Sequence, residues 1–207
     1  MRFGVKIIGG VLTALSLGVF LVSCADDQPV QLTERPQFEV QANWEMDASA
    51  STLSFASSYD GDAFTGSFSD FTTQIQFDPD DLARSQVVVT IDLSSVDAGD
   101  AERTDALPDK DWFFVKSFPE AVFESHAFTH LGGNTYEAKG DLSLRGVTKP
   151  LVLPFTLSIE NGVAHMDGTV QLNRRDFDVG RGMWESDEYV AHTVEVNITV
   201  LARKITP

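Results

Sequence analysis

Cysteine is almost missing from this chain: of 207 residues, only Cys24 carries a thiol. One thiol excludes an internal disulfide, and everything after it is left without a cysteine for a zinc cluster or a thiol nucleophile. Positive charge is also scarce. Lys and Arg number 15 against 31 Asp and Glu, and so acidic a surface repels phosphate backbones, which argues against a nucleic-acid partner. Tryptophan and tyrosine fall to three each, whereas phenylalanine reaches 15. Phenylalanine makes no hydrogen-bonding demand when buried, so a Phe-rich inward face suits a dry core or an apolar lumen. Catalytic signatures are lacking as well. There is no G-x-S-x-G, H-E-x-x-H or P-loop, and no catalytic residue is assigned.

One long apolar run is present, "IIGGVLTALSLGVFLVSC", preceded by Arg2 and Lys6. A basic start, a short greasy stretch and small residues at its end mark a secretory signal peptide over residues 1–23. "LVSC" resembles a bacterial lipobox, in which Cys24 is lipidated and becomes the first mature residue. Removing residues 1–23 leaves 13 cations against 31 acids, a net charge of −18 with histidines neutral. The expected membrane tether is therefore a lipid on Cys24 and not a basic patch. "ADDQPVQLTERPQ" is polar and without period, so residues 24–41 read as a linker. Residues 42–207 then form one domain. The expected address is the periplasm, tethered to a membrane. Ala25, where an Asp would retain the protein at the inner membrane, leans toward the outer one.

Within the domain the dominant period is two. "QVVVTIDL", "TYEAKGDLSL" and "YVAHTVEVNITVLA" alternate apolar with polar residues, the mark of antiparallel strands with one face buried. "TLSFASSY", "FTGSFSDF", "TQIQFD", "AVFESHAF", "LVLPFTLSI" and "HMDGTVQL" are further strand-length segments bounded by turn residues. Only residues 101–119 resist, and there a short helix over 101–107 is predicted. Many strands with short turns leave a sandwich or a closed barrel, and an eight-stranded barrel can hold one small ligand.

Polar candidates are few. His126 and His130 are four apart, but on a strand that is roughly 13 Å at about 3.3 Å per residue, too far for one ion. No metal site and no cofactor are assigned. Arg145 and Lys149 sit on the turn of "GDLSLRGVTKPLVLPF", between two apolar strands. They either neutralise nearby acids or meet a polar head group at a pocket mouth. Arg175 is a third head-group candidate.

Taken together, "WEMD" with "STLSF", "GSFSDFTTQIQFDPDDL", "VVVTIDLSSVDAG", "DWFFVKSFPEAVFES", "GDLSLRGVTKPLVLPF" and "LNRRDFDVGRG" resemble the YceI-like family of bacterial periplasmic proteins, in order from Trp44 to Ala202. The resemblance implies an all-β fold: an eight-stranded antiparallel lipocalin-like barrel with a short helical insertion near residues 101–119. It also implies an apolar lumen for a long isoprenoid-type lipid such as a quinone or its precursor. "DWFF" and "VGRGMWES" are similar to versions found alone or fused to membrane b-type cytochromes. The chain departs from the family where a frequent histidine follows the first Trp and Asp, since Ala50 and Ser51 stand there.

Given such a barrel, the alternation assigns Leu53, Phe55, Phe68, Ile75, Phe77, Val89 and Ile91 to the lumen wall. Phe123, Leu142, Leu144, Leu153, Phe155, Leu157 and Phe177 join them. Phe113, Phe114 and Trp184 fall outside regular strands and are assigned to a mouth or lid. The favoured function is a lipid-anchored carrier or store for an isoprenoid-type lipid. Two rivals stand beside it. One is an enzyme acting on such lipids through His192 or Arg175. The other is a ligand-free accessory barrel serving a membrane cytochrome. A second copy of the chain is a further candidate partner.

Overall fold

The structure, a computed structural model, describes residues 40–206. The stretch read as a signal peptide, Cys24 and the expected linker up to residue 39 lie outside the described residues. Eleven strand segments appear among those described. They are β1 (Trp44–Met46), β2 (Thr52–Tyr59), β3 (Asp62–Phe68), β4 (Phe71–Gln76), β5 (Gln86–Asp92) and β6 (Val96–Asp97), then β7 (Glu120–Gly132), β8 (Thr135–Leu144), β9 (Val147–Glu160), β10 (Val163–Asn173) and β11 (Thr193–Lys204).

Pairing reduces the eleven segments to eight strands. β1 and β2 both pair with β11; β4 pairs with β1 and β3 with β2; β5 pairs with β4 and β6 with β3. β1 with β2, β3 with β4, and β5 with β6 are thus each one long strand broken by a bend. β7 to β11 then follow as antiparallel neighbours, and the β1–β11 pairing closes the ring. The architecture is a closed eight-stranded antiparallel barrel with one small helix. Closure leaves no unpaired edge along the ring, which removes the hazard that an open sheet this long would carry.

Short polar residues make the bends. Asp92 accepts hydrogen bonds from the Ser94 backbone (2.8 Å) and hydroxyl (2.6 Å), turning β5 into β6. Asp47 does the same with Ser49 between β1 and β2. Side chains of this kind offer the backbone an alternative to the ladder, so the strand breaks where they cluster.

A different device sits in β7. Phe123 and Phe128 are five residues apart, which in an unbroken strand places them on opposite faces. The β7–β8 register shifts between Ser125 and Ala127, and after this bulge Phe128 points inward like Phe123. The bulge interrupts pairing with β5, and the Ser125 hydroxyl takes up the loss by accepting the Val87 N–H at 2.7 Å. Ser125 is buried (2% exposed). Opposite it, Gly140 has no Cβ because one would collide with the Glu124 carbonyl. Ser125→Ala leaves a buried N–H unpaired, so stability should fall by about 1–3 kcal/mol. The urea midpoint, read with an unchanged slope, measures this loss.

The one α-helix among the described residues, α1 (Ala101–Ala106), is capped by Asp100, which accepts from the Glu102 and Arg103 amides. It opens the insertion anticipated near residues 101–119, whose remainder folds as consecutive turns up to β7.

Candidate functional site: an apolar lumen under a latched cap

Because side chains alternate across each strand, one face of all eight strands points into the barrel. These inward rows do not fill it. They leave a cavity of about 290 Å³, roughly twice the ~150 Å³ at which an apolar cavity stays dry and binds small hydrocarbons. Only Ser57, Thr73 and Arg174 among its lining residues carry polar side chains apart from the two indoles, Trp44 and Trp112. On β11 the lining runs from Val194 to Ala202. That is about 26 Å of strand, or roughly 20 Å along the barrel axis at the usual tilt of about 40°. An apolar cavity of this size lined over such a length suits a hydrocarbon chain lying along the barrel axis.

Small inward residues keep the passage open. Ala121, Ala138, Ala164 and Ala202 are all buried and all line it. At one end, Phe77, Phe128, Tyr136 and Phe155 pack edge-to-face and stacked, with centroids 5.2–6.2 Å apart. Ile159 continues the inward row of β9 yet remains 38% exposed, so here the apolar wall reaches solvent.

The other end is covered by two segments, residues 107–118 of the insertion and residues 178–192 between β10 and β11. Two buried arginines hold them. Arg145, on the β8–β9 turn, donates to the carbonyls of Lys110 and Trp112. Arg174 donates to six carbonyls, those of Val179, Gly180, Trp184, Ser186, Val190 and Ala191, at 2.7–3.3 Å. Its guanidinium also lies 5.7 Å from the Trp112 ring centroid, and Arg181 N–H reaches the Asp111 carbonyl at 2.7 Å, so the two segments are tied together. Gly180 has φ +78°, and a Cβ there would strike the Arg174 guanidinium. Burial holds both guanidiniums below the ordinary arginine value, helped by repulsion from Arg181 at Arg145 and from Arg175 at Arg174. Both remain cations, because a guanidinium does not deprotonate in proteins. Neither has a carboxylate partner within ion-pair distance among the described residues; carbonyl dipoles carry the compensation.

Placement of the sequence-assigned residues is therefore mixed. Every lumen candidate lines the cavity except Phe114 and Trp184. Phe114 has φ +54° and turns outward against Phe118 and Arg145, lining a polar depression on the cap with Lys110 and Arg181. Trp184 packs on Trp112 and Tyr59 in the cap's outer layer, while Phe113 does reach the lumen. Of the head-group candidates, Arg145 is 7% exposed and engaged with the insertion, which is a correction to its reading as a residue at a pocket entrance. The cation is on that turn because it latches the cap. Lys149 is exposed; opposite Leu142 in the β8–β9 register it belongs to the inward-facing row of β9, but it does not line the cavity. Arg175 donates to the Gly180 carbonyl at 2.6 Å and lies 3.9 Å from Glu185, away from the lumen lining. His192 Nε2 donates to the Glu185 carbonyl at 2.8 Å, also outside the lining.

Some lining residues were not singled out from sequence. Phe128 is one, because the bulge is invisible to a count by two. Ala138 was placed on the correct face, but its small size was not read as the hollow it makes. Thr73 and Arg174 are polar, and no apolar pattern could select them.

Known proteins share this geometry. The sequence pattern of the YceI-like domain matches residues 44–202. A UPF0312 protein of Ectopseudomonas mendocina is 33% identical over 141 residues, 65% of this chain and 72% of that protein. Other curated relatives of that group match over 88 residues, less than half their own length. Among solved structures, Burkholderia cenocepacia BcnA superposes with a TM-score of 0.73 at 32% identity, covering 76% of this chain and 99% of that one. A polyisoprenoid binding domain from Saccharophagus degradans shares the fold, with a TM-score of 0.66 at 16% identity over 79% and 99% of the two chains. With the barrel, its insertion and the family's sequence pattern found over the same residues, this chain belongs to the YceI-like domain family.

Proposed function

We propose that the protein is a binding protein for a long isoprenoid-type lipid, such as a quinone or its precursor. In this reading the lipid lies along the lumen for transport or storage. The observation that carries the reading is the lumen: a narrow apolar passage running the length of a closed barrel. Each methylene taken from water into it is worth about 0.8 kcal/mol. A lipid of some tens of carbons cannot cross an aqueous compartment unaided, and an apolar lumen removes that barrier. The polyisoprenoid bound by the Saccharophagus neighbour is consistent with this chemistry.

Cys24, acylated, would hold the barrel at a membrane surface from the periplasmic side, with residues 24–41 as the tether. Both the lipid's source and its destination would then be within reach of a slender chain leaving the lumen beside Ile159.

The test is solvent extraction and mass spectrometry of protein purified from its native compartment. It should carry Cys24→Ser and a non-lipoprotein signal, so that acyl chains of an anchor do not contaminate the extract. A stoichiometric polyprenyl or quinone mass is the expected result. An empty extract from protein never exposed to detergent would overturn the reading.

A further inference from the structure

We propose that the open end of the lumen is a membrane-docking face. Leu131, Ile159 and Ile205 around that mouth enter the bilayer surface, so that a lipid passes between bilayer and lumen without crossing water. This inference rests on the membrane-tethered, lipid-binding reading above and adds which face of the barrel meets the bilayer.

Seven large hydrophobic side chains are exposed among the described residues, and three of them are at the mouth: Leu131 at 54%, Ile205 at 47% and Ile159 at 38%. Leu131 is at the tip of the β7–β8 hairpin, Ile159 precedes the β9–β10 turn, and Ile205 follows β11. The strands from β7 to β11 are consecutive around the ring, so the three side chains share one arc of the rim. Register keeps them at the same end. Ile159 is opposite Ala164, which is opposite Ala202, and Lys204 N–H reaches the Gly162 carbonyl at 2.9 Å. Leu157 N–H reaches the Asn134 carbonyl at 2.8 Å, tying the β7–β8 tip to β9. Single exposed aliphatics are ordinary on any surface. Three at the opening of an apolar lumen extend its wall outward, and that arrangement marks an interaction face.

The point where the chain enters the barrel indicates what covers this face. The described chain begins at Val40, and Asn43 fixes the entry at the same rim. Its side chain exchanges hydrogen bonds with the Phe77 main chain at 2.9 and 3.2 Å, and its carbonyl accepts the Ile205 N–H at 2.9 Å. A polar linker of the length of residues 24–39 spans about 20–25 Å. An anchor at Cys24 therefore holds the mouth within reach of the bilayer, with the cap roughly 20 Å farther along the axis. Charge agrees. The hairpin from Thr129 to Thr135 holds no Asp, Glu, Lys or Arg, and Arg203 and Lys204 beside Ile205 suit lipid phosphates, against Glu160 in the β9–β10 turn. Asp78, Asp80 and Asp81 stand on the remaining arc, in the β4–β5 connection, so the barrel leans on its apolar arc. At the cap end Tyr59, Met183 and Tyr189 are also exposed, but they lie among Asp60, Glu185, Asp187 and Glu188, which an anionic bilayer repels.

The test couples the mature chain through the Cys24 thiol to vesicles of phosphatidylethanolamine and phosphatidylglycerol carrying a maleimide lipid, and follows amide hydrogen exchange. Compared with the same chain, thiol capped and free of vesicles, exchange should slow at residues 129–135, 159–163 and 203–206. It should stay the same at residues 107–118 and 180–190 of the cap. Leu131→Asp combined with Ile205→Asp should abolish the protection and slow uptake of a decyl-benzoquinone probe from the vesicles about tenfold. Both side chains lie outside the lumen lining, so the thermal midpoint and the affinity for the probe in solution should not change. Protection at the cap instead of the mouth, or at neither, would overturn the inference. So would a rim that is protected without vesicles in proportion to protein concentration, because a second copy would then cover it. Unmodified protein that fails to bind the probe in solution would overturn the lipid-binding reading, while the exchange pattern still decides the docking.

Discussion

Ala138→Phe should cut lipid binding by more than a hundredfold while the barrel stays folded. Ala138 is 4% exposed, lines the lumen and pairs with Phe128 on β7 and Leu153 on β9, so a ring grown from its Cβ projects into the passage. A ring at this position takes up part of an elongated cavity and shortens the space left for a chain. Excluding four methylenes of ligand, at about 0.8 kcal/mol each, removes about 3 kcal/mol of binding, which is more than two powers of ten. The fold has reason to tolerate the ring, because it enters a pre-existing cavity and not a filled core. Binding of the decyl-benzoquinone probe, followed alongside the thermal midpoint, separates the two effects. Retained binding would mean that the ligand occupies some other site. Lost binding with a collapsed midpoint would mean that the lumen wall has no room at this position.

Arg174→Ala should destabilise the protein by about 4 kcal/mol and release the cap. Arg174 is 4% exposed, and its guanidinium gathers six carbonyls from four stretches of the segment between β10 and β11. Removing it leaves those acceptors facing an apolar cavity, and charge-assisted hydrogen bonds are individually worth about 1.5–3 kcal/mol. Part of the loss is recovered as the cap opens and water reaches the carbonyls, which is why the sum falls far below six full bonds. For a domain of this size the midpoint should drop by about 8–16 °C. Lysine does not restore it. An ammonium has three donors and no planar fork, so Arg174→Lys should remain nearly as unstable as alanine. Limited proteolysis supplies a second readout: cleavage within residues 180–190 should quicken in both variants, with the strands still protected. An Arg174→Lys protein of full stability would show that charge alone, not the fan of donors, holds the cap.

These two residues also mark what sequence reading reached and what it did not. Ala138 sits in "TYEAKGDLSL", whose alternation announces both the strand and the inward face, because in a half-buried strand solvent and core repeat every second residue. The same rule selected the row from Leu151 to Leu157 and the row of β11. The family resemblance added the closure of those strands into a barrel, which periodicity alone leaves undecided between barrel and sandwich. Arg145 was noticed as a cation in a chain short of them, whereas Arg174 was passed over in favour of its neighbour Arg175. What they touch was not legible, since Arg145 and Trp112 are 33 residues apart in the chain. A hydrogen bond to a backbone carbonyl also leaves no trace in the identity of the residue that accepts it.

The sequence by itself determined the strands, which of their faces is apolar, and the exclusion of an internal disulfide. It did so because those follow from local alternation and from composition. Tertiary structure alone decided three things. The bulge at Ser125 brings Phe128 inward, an event set by the register of the neighbouring strand and by the space left over Gly140. Two arginines became latches and not entrance residues, because chain segments distant in sequence present their carbonyls to them. And the inward rows enclose a passage instead of a packed core, because closing eight strands fixes a radius that four inward alanines do not fill.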